Sequence, residues 1–292
     1  MTVQRPPLPE ALVAQARSYA DGDAEPAEPR DAATVVLLRP GASSSPAGPE
    51  IYLLRRQTSM AFAGGMCVFP GGGVDPRDYA DELVDRGLWA GPSPAEWAER
   101  LGVDEPKARA LVCAAVRETF EESGVLLAGT DADEVVADTT GDDWEADRVA
   151  LETRELSMTA FLEKRSLVLR TDLLGPWSGW LTPVFEPRRY RTWFFVARLP
   201  EGQVTRDVST ESSAVTWTAA MDAVEQVEQR QILMMPPTWL TCLDVGQHAD
   251  PAAVLAESRG RHVEIFMPEV VPDGDDFILS TPPHCSALMA AR

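Results

Sequence analysis

The sequence predicts an α/β protein, an α/β/α sandwich around a mixed β-sheet. Three observations carry that expectation. Runs rich in β-branched and aromatic residues are interspersed with helix-forming runs along the whole chain, without the strict β-α alternation of a purely parallel sheet. The 292 residues are 45% hydrophobic and include 8 Trp, enough to bury a large core. Long internal repeats and low-complexity tracts are absent.

Taken in order, residues 9–19 form a short helix within an N-terminal extension, 1–30, that is rich in Pro, Ala and acidic groups. Residues 33–38 and 51–56 are β-rich and are joined by a loop, 41–48, expected to be flexible. A third strand ends at Phe69 and runs into a tight turn at Gly71, Gly72 and Gly73. Asp75-Pro76 caps a helix expected to continue through Leu88, and Ser93-Pro94 with Glu96 makes a capping-box start for another, which Gly102 ends. Asp104 then caps a helix over 105–123, whose stop is Gly124. Residues 142–162 read as a helix, 167–173 as a strand, and 177–195 as a turn followed by an aromatic strand. A short strand over 213–218 precedes a helix over 219–233. Pro236-Pro237 breaks the chain before another helical pair, and 263–266 with 277–279 close the fold. Trp89, Trp97 and the run Trp193 to Phe195 are expected to pack rather than to touch a ligand.

The helix over 105–123 carries the chemistry. Glu118, Glu121 and Glu122 stand at i, i+3 and i+4, so their carboxylates project from one face, with Arg117 four residues before Glu121. Val112, Ala115, Val116 and Thr119 form the opposite stripe, expected on the core. Three carboxylates on one small patch repel one another unless a cation sits among them. Oxygen-only ligands favour hard divalent ions, Mg²⁺ or Mn²⁺. The bland alternative, an exposed acidic helix with one Arg-Glu pair, does not account for so particular a spacing.

Charge and cysteines narrow the class. A net charge of −20 argues against a nucleic-acid backbone as partner, yet a small phosphate-bearing substrate is compatible with it because bound cations bridge the two sets of negative charge. Cys67, Cys113, Cys242 and Cys285 are scattered without C-x-x-C spacing, and His284 beside Cys285 is adjacent rather than ligand-spaced, so reduced buried thiols are expected. No apolar run approaches the length of a membrane span and no signal peptide is recognisable, so the expected location is cytoplasmic.

The run from Arg117 to Val125 resembles the Nudix hydrolases, whose box is G-x5-E-x7-R-E-U-x-E-E-x-G-U with U aliphatic. Arg117, Glu118, Glu121, Glu122, Gly124 and Val125 match it, and Thr119 stands in place of an aliphatic residue. Counting back puts Arg109 where the box has Glu and Val103 where it has Gly. The box glycine is instead identified with Gly72, 45 positions before Arg117, so about 31 residues are inserted inside the box. The resemblance implies a single Nudix domain over 31–292, with a helical insertion over 74–104 and a C-terminal extension of helices and strands over 234–292. The insertion is expected as a small flap that either covers the site or mediates pairing of two copies in a homodimer.

Residues 65–72 match the end of the coenzyme A signature of coenzyme A diphosphatases, and Arg56 falls on its first Arg. Gln57 replaces its Ser and Ala61 its second Arg, which leaves ADP-ribose, NADH or another dinucleotide open as substrate. Trp180-x-Thr-Pro183 with Arg189, Thr192, Phe194 and Phe195 is similar to the branch of the peroxisomal nudix-type 19 coenzyme A diphosphatases, which also carries a long insertion in its box.

By this resemblance Glu118, Glu121 and Glu122, with the Gly72 carbonyl, hold Mg²⁺ or Mn²⁺, and Arg117 keeps the glutamates in register. Glu118 or Glu211 takes a proton from the attacking water, with Glu118 preferred. Arg56, Phe69, Gly71, Gly72 and Arg189 are expected at the substrate, a small nucleoside diphosphate derivative such as coenzyme A or its acyl esters. Asp78 lies at G-x5-D from Gly72; it and Asp75 either replace the missing box Glu or only cap a helix. A binding or regulatory protein without turnover is the reading from another class.

Overall fold

The structure is a computed structural model and describes residues 7–22, 24–41, 48–59 and 63–292. Most of the loop expected to be flexible, and Ala61 of the signature, lie outside the described residues. Helix α1, Glu10–Ala20, precedes β1, Arg30–Pro40, and β2, Pro49–Arg56. Two short strands follow, β3 at Cys67–Val68 and β4 at Gly71–Gly73. Next come a 3₁₀ turn at Pro76–Tyr79, the short α2 at Glu82–Asp85, β5 at Trp89–Ala90, and α3, Pro94–Leu101. After α4, Glu105–Ser123, come β6 at Ala128–Gly129, α5, Asp142–Glu152, and α6, Met158–Arg165. The chain continues through β7, Val168–Arg170, β8, Leu174–Leu181, β9, Tyr190–Arg198, and β10, Ser212–Ala219. It ends through α7, Ala220–Glu228, α8, Pro236–Val245, α9, Pro251–Ser258, β11, Ile265–Phe266, a hairpin of β12, Val270–Asp273, and β13, Asp276–Leu279, and α10, Pro283–Ala290.

The main sheet runs β10-β2-β1-β9-β8-β11, with β3 added on β2 and β4 on β1. Its pairings are mixed: β1 with β9 and β8 with β11 are parallel, the others antiparallel. Alternation along each strand sends side chains to opposite faces. Ala33, Val35 and Leu37 pack with Trp193 and Phe195 against α3, α4 and α6. Val36, Leu38, Phe194 and Val196 pack the other face against α7, α8 and α10. Helices therefore cover both faces, which is the α/β/α sandwich expected. Trp97 is fully buried, and Trp89 packs at the edge of the first cluster.

Several boundaries differ from expectation, each for a local reason. The helix expected over 142–162 is two, because Arg154 adopts a left-handed φ of 63° and Ser157 caps a fresh start at Ala160 N. Arg230, at φ 58°, lies just beyond the earlier end of α7. The helix expected through Leu88 is broken at Ala80, whose ψ of 121° is extended. Residues 171–173 form a 3₁₀ turn rather than strand, and 177–195 form most of the β8-β9 hairpin rather than a turn before one strand. Only β11 of the last segments joins the main sheet; β13 pairs with β12. The inserted segment is not a loose flap, since Leu83, Trp97 and Leu101 are buried in the core beside α4.

All four cysteines are free and buried, and burial raises their thiol pKa values, that of Cys285 to about 12. Among the described residues no helix is long and apolar enough to cross a membrane.

Candidate active site

The three glycines of β4 are a strand, not the tight turn expected. They pair antiparallel with β1, Gly72 opposite Ala33, and none has a positive φ. Glycine is needed there for proximity. A Cβ at Gly71 would lie 2.5 Å from the Ala33 carbonyl oxygen, and one at Gly72 would lie 2.5 Å from a Glu118 carboxylate oxygen. The strand thus lets the C-terminal turns of α4 approach the sheet. Gly71 N donates to Glu122 Oε2 at 2.7 Å, fixing the strand to the helix.

Arg117 is the centre of the cluster. Its guanidinium donates to Glu118 Oε1 at 2.7 Å, to both Glu121 oxygens at 3.3 Å and to the Gly73 carbonyl at 3.1 Å. It also makes a two-pronged pair with Asp78, Nε to Oδ1 at 3.0 Å and Nη2 to Oδ2 at 2.8 Å. Burial alone would lower the Arg117 pKa, but these anions outweigh it and hold the group fully charged.

Asp78 is the site residue whose part the sequence left open. Its 3₁₀ turn is fixed by a capping box in which Asp75 accepts from Arg77 N and Asp75 N donates to Asp78 at 2.8 Å. Asp78 is therefore both a cap and the carboxylate that meets Arg117. Arg109, at the position that counting assigned to the box Glu, instead pairs with Asp81.

The glutamates share a strained electrostatic environment. Burial, opposed by Arg117 but aided by Asp78 and Glu211, raises the Glu118 pKa. Burial and the neighbouring Glu118 push Glu121 up to about 7, and the same two causes push Glu122 well above the usual carboxylate range. With the side chains turned as they are, no three His, Cys, Asp or Glu groups among the described residues converge as ligands of one metal ion. Glu118 and Glu121 are turned onto Arg117, and Glu122 onto the Gly71 amide.

These groups line a cleft of about 920 Å³, near the top of the usual ~300–1,000 Å³ range of ligand pockets. Glu211 reaches it from the turn before β10, half-exposed, and accepts from Arg56 Nη2 at 2.7 Å. The Arg56 Nε is buried with no hydrogen-bond partner in the protein. Phe69 is 3% exposed and meets Phe194 edge to face, so it floors the cleft.

Arg189 does not meet the expectation of a substrate contact. It does not line this cleft; its guanidinium is buried and donates to the carbonyls of Thr182 and Ala27. Arg191 is held by Asp31 at 3.3 Å.

The support behind the glutamates is not legible in the sequence. Arg148, 3% exposed, donates to the Glu121 carbonyl at 2.7 Å, to Glu145 at 2.7 Å and to Glu152 at 3.0 Å. Glu152 accepts from Thr210 Oγ1 at 2.7 Å, so α5 links the end of α4 to the turn that carries Glu211. The separation of these positions in the chain hides the link from sequence.

A family model described as the NUDT19 Nudix domain matches residues 29–243. A protein of Gallus gallus named acyl-coenzyme A diphosphatase NUDT19 is 28% identical over 250 residues, which cover 71% of this chain and 65% of that one. Its namesake in Xenopus laevis is 25% identical over 217 residues, 64% of this chain and 57% of that one. The chain thus spans less than two thirds of the length of either relative. Among solved structures, a NUDIX hydrolase from Alicyclobacillus acidocaldarius superposes with a TM-score of 0.66 at 25% identity, covering 78% of this chain and 96% of the other.

Proposed function

The chain belongs to the NUDT19 Nudix domain family, and on that premise we propose that it hydrolyses the diphosphate linkage of coenzyme A or an acyl-coenzyme A. The observation that carries the reading is the Arg117 clamp. One buried guanidinium, paired with Asp78, orders Glu118 and Glu121 beside Glu122 in the lining of a cleft large enough for an extended nucleotide conjugate.

The donor set fits a hard divalent cation, Mg²⁺ or Mn²⁺. It offers only oxygens, burial and mutual repulsion raise the pKa values of its carboxylates, which a cation among them would relieve, and the missing side chain at Gly72 leaves the Glu118 carboxylate room. Glu118, Glu121, Glu122 and the Gly72 carbonyl would hold it, the glutamates turning from Arg117 and from the Gly71 amide to do so. When bound, such an ion supplies charge neutralisation for the diphosphate and a more acidic water.

The protein's own residues supply the rest. Glu118 takes the proton of the attacking water, whose oxygen forms a bond to phosphorus as the bond to the bridging oxygen breaks and the leaving phosphate departs. Glu118 stands against Gly72 in the cleft, whereas Glu211 is half-exposed and committed to Arg56. Arg117 keeps Glu118 and Glu121 in place. The free Arg56 Nε donates to a phosphate oxygen, and Phe69 floors the cleft beside it.

The test is product analysis on a panel of coenzyme A, acetyl-coenzyme A, ADP-ribose and NADH, with Mg²⁺ and with Mn²⁺. Formation of 3′,5′-ADP and phosphopantetheine is expected. Turnover of ADP-ribose or NADH alone would retain the box chemistry and reject the coenzyme A reading. Silence across the panel, with ligand binding intact, would favour a binding protein.

A further inference from the structure

One arm of the cleft differs from the rest. The cleft's lining is ionic at α4, and Leu12, Trp180, Phe185, Pro268 and Leu279 line it too, on α1, the β8-β9 hairpin and the C-terminal segment. Thr192 and Phe194 lie two apart on β9, and Trp180 is the register partner of Thr192 on β8, so alternation presents them together as a floor. The turn between β8 and β9 adds Glu186 to the lining, an anion that repels phosphate. Arg56 of β2, whose Nε has no partner in the protein, stands with Glu211, whereas Arg30, which also lines the cleft, is exposed opposite Tyr190.

The wall of the arm is one assembled unit. Leu8 N donates to the Phe277 carbonyl at 2.7 Å, and the Arg17 guanidinium lies 5.0 Å over the Phe277 ring. Gln15 Nε2 donates to the Phe185 carbonyl at 2.9 Å. These contacts bind α1 to the β12-β13 hairpin and to the β8-β9 turn. Leu12, one turn beyond Leu8, is half-buried, lines the cleft and belongs to neither core cluster. Both α1 and the hairpin lie outside the residues 29–243 that the family model matches.

We propose that this arm takes the uncharged chain on the side of the diphosphate away from the nucleotide, so that α1 and the hairpin select acyl chain length. The proposal rests on the coenzyme A reading above. Charge decides the orientation. The nucleotide half of coenzyme A bears a further phosphate and suits the unpartnered Arg56 Nε, while the acylated half bears none and gains by leaving water, roughly a few-fold in affinity per methylene.

The experiment compares kcat/KM for coenzyme A, acetyl-coenzyme A and dodecanoyl-coenzyme A in the wild type, Leu12→Trp and Leu12→Glu. The ratio of dodecanoyl to acetyl turnover is independent of how much of each preparation is folded. Trp fills the arm and is expected to lower that ratio about tenfold. Glu adds a charge without that bulk, at a half-buried helix position that tolerates it, and lowers the same ratio. An unchanged ratio in either variant overturns the arm while free coenzyme A turnover upholds the activity. A wild type inactive on both esters and on the free thiol overturns both.

Discussion

Asp78 and Arg117 meet through two hydrogen bonds, 2.8 and 3.0 Å long, across 39 residues of chain. Both side chains are almost wholly out of solvent, at 2% and 8% exposure. The pair fastens the inserted segment to the helix that bears the glutamates. Replacing Asp78 by Asn leaves Arg117 with less compensation and is expected to cost about 3–5 kcal/mol of stability. Denaturant midpoints would measure it; a wild-type midpoint would show that the pair is idle.

Glu122→Gln separates folding from chemistry. A neutral amide there relieves a buried carboxylate and still accepts from the Gly71 amide, so the melting temperature without divalent cation is expected to hold or rise. Turnover is expected to fall by about two to four orders of magnitude. Undiminished kcat in a folded variant would remove Glu122 from the machinery.

The pH dependence of the cation-free protein follows from signs. Glu121 titrates near 7 when folded against an ordinary 4.5, so the folded state binds the extra proton between those values. Its contribution is fully present below pH 4.5 and declines as the pH rises through 7. Asp75 acts in the opposite sense: its pKa, lowered to about 2 by hydrogen bonding to Arg77, contributes stability above about 4 that is lost on acidification. Melting curves in chelator should therefore fall between pH 5 and pH 7, and added Mg²⁺ should raise them most at the upper end. A flat profile over that range would contradict the protonated glutamate.

Two neighbouring glycines give different failures. Gly72→Ala drives a methyl against the movable Glu118 carboxylate, so activity should drop about a hundredfold or more with modest loss of stability. Gly71→Ala meets the β1 backbone, which cannot move aside, and should destabilise the fold by about 1–3 kcal/mol. Paired unfolding and kinetic measurements distinguish them; equal profiles would refute the contrast.

The link from α5 to the Glu211 turn can be cut without touching a box glutamate. Thr210→Val removes the donor to Glu152 at an exposed position. KM for coenzyme A should rise a few-fold as Arg56 loses its ordered partner, with the melting temperature nearly constant. An unchanged KM would leave the link a surface contact.

What the sequence revealed follows from the range of the forces involved. The cap at Asp104, the left-handed stop at Gly124 and the carboxylate spacing are local, so α4 and its acidic face were legible in full. The sandwich followed from mixed patterning. The break at Arg154 carries no Gly or Pro signal, because a non-glycine residue holds the left-handed conformation. Three successive glycines suggest a turn, yet here they make room for Glu118. Asp78 could be counted but not weighed, since its partner lies beyond an insertion. Arg189 resembled any strand-edge cation until its acceptors, Thr182 and Ala27, were placed around it.

Strands β1 and β9 are parallel neighbours, paired from Arg30 with Tyr190 to Leu38 with Arg198. On a ribosome, the first strand of that pair emerges long before its mate. Until β9 arrives, β1 has an open edge, and Ala33, Val35 and Leu37 lack the covering of Trp193 and Phe195. Such distant pairing slows folding. The acidic helix can form early from its own caps, but its platform is completed late in synthesis, after the glutamates have already emerged.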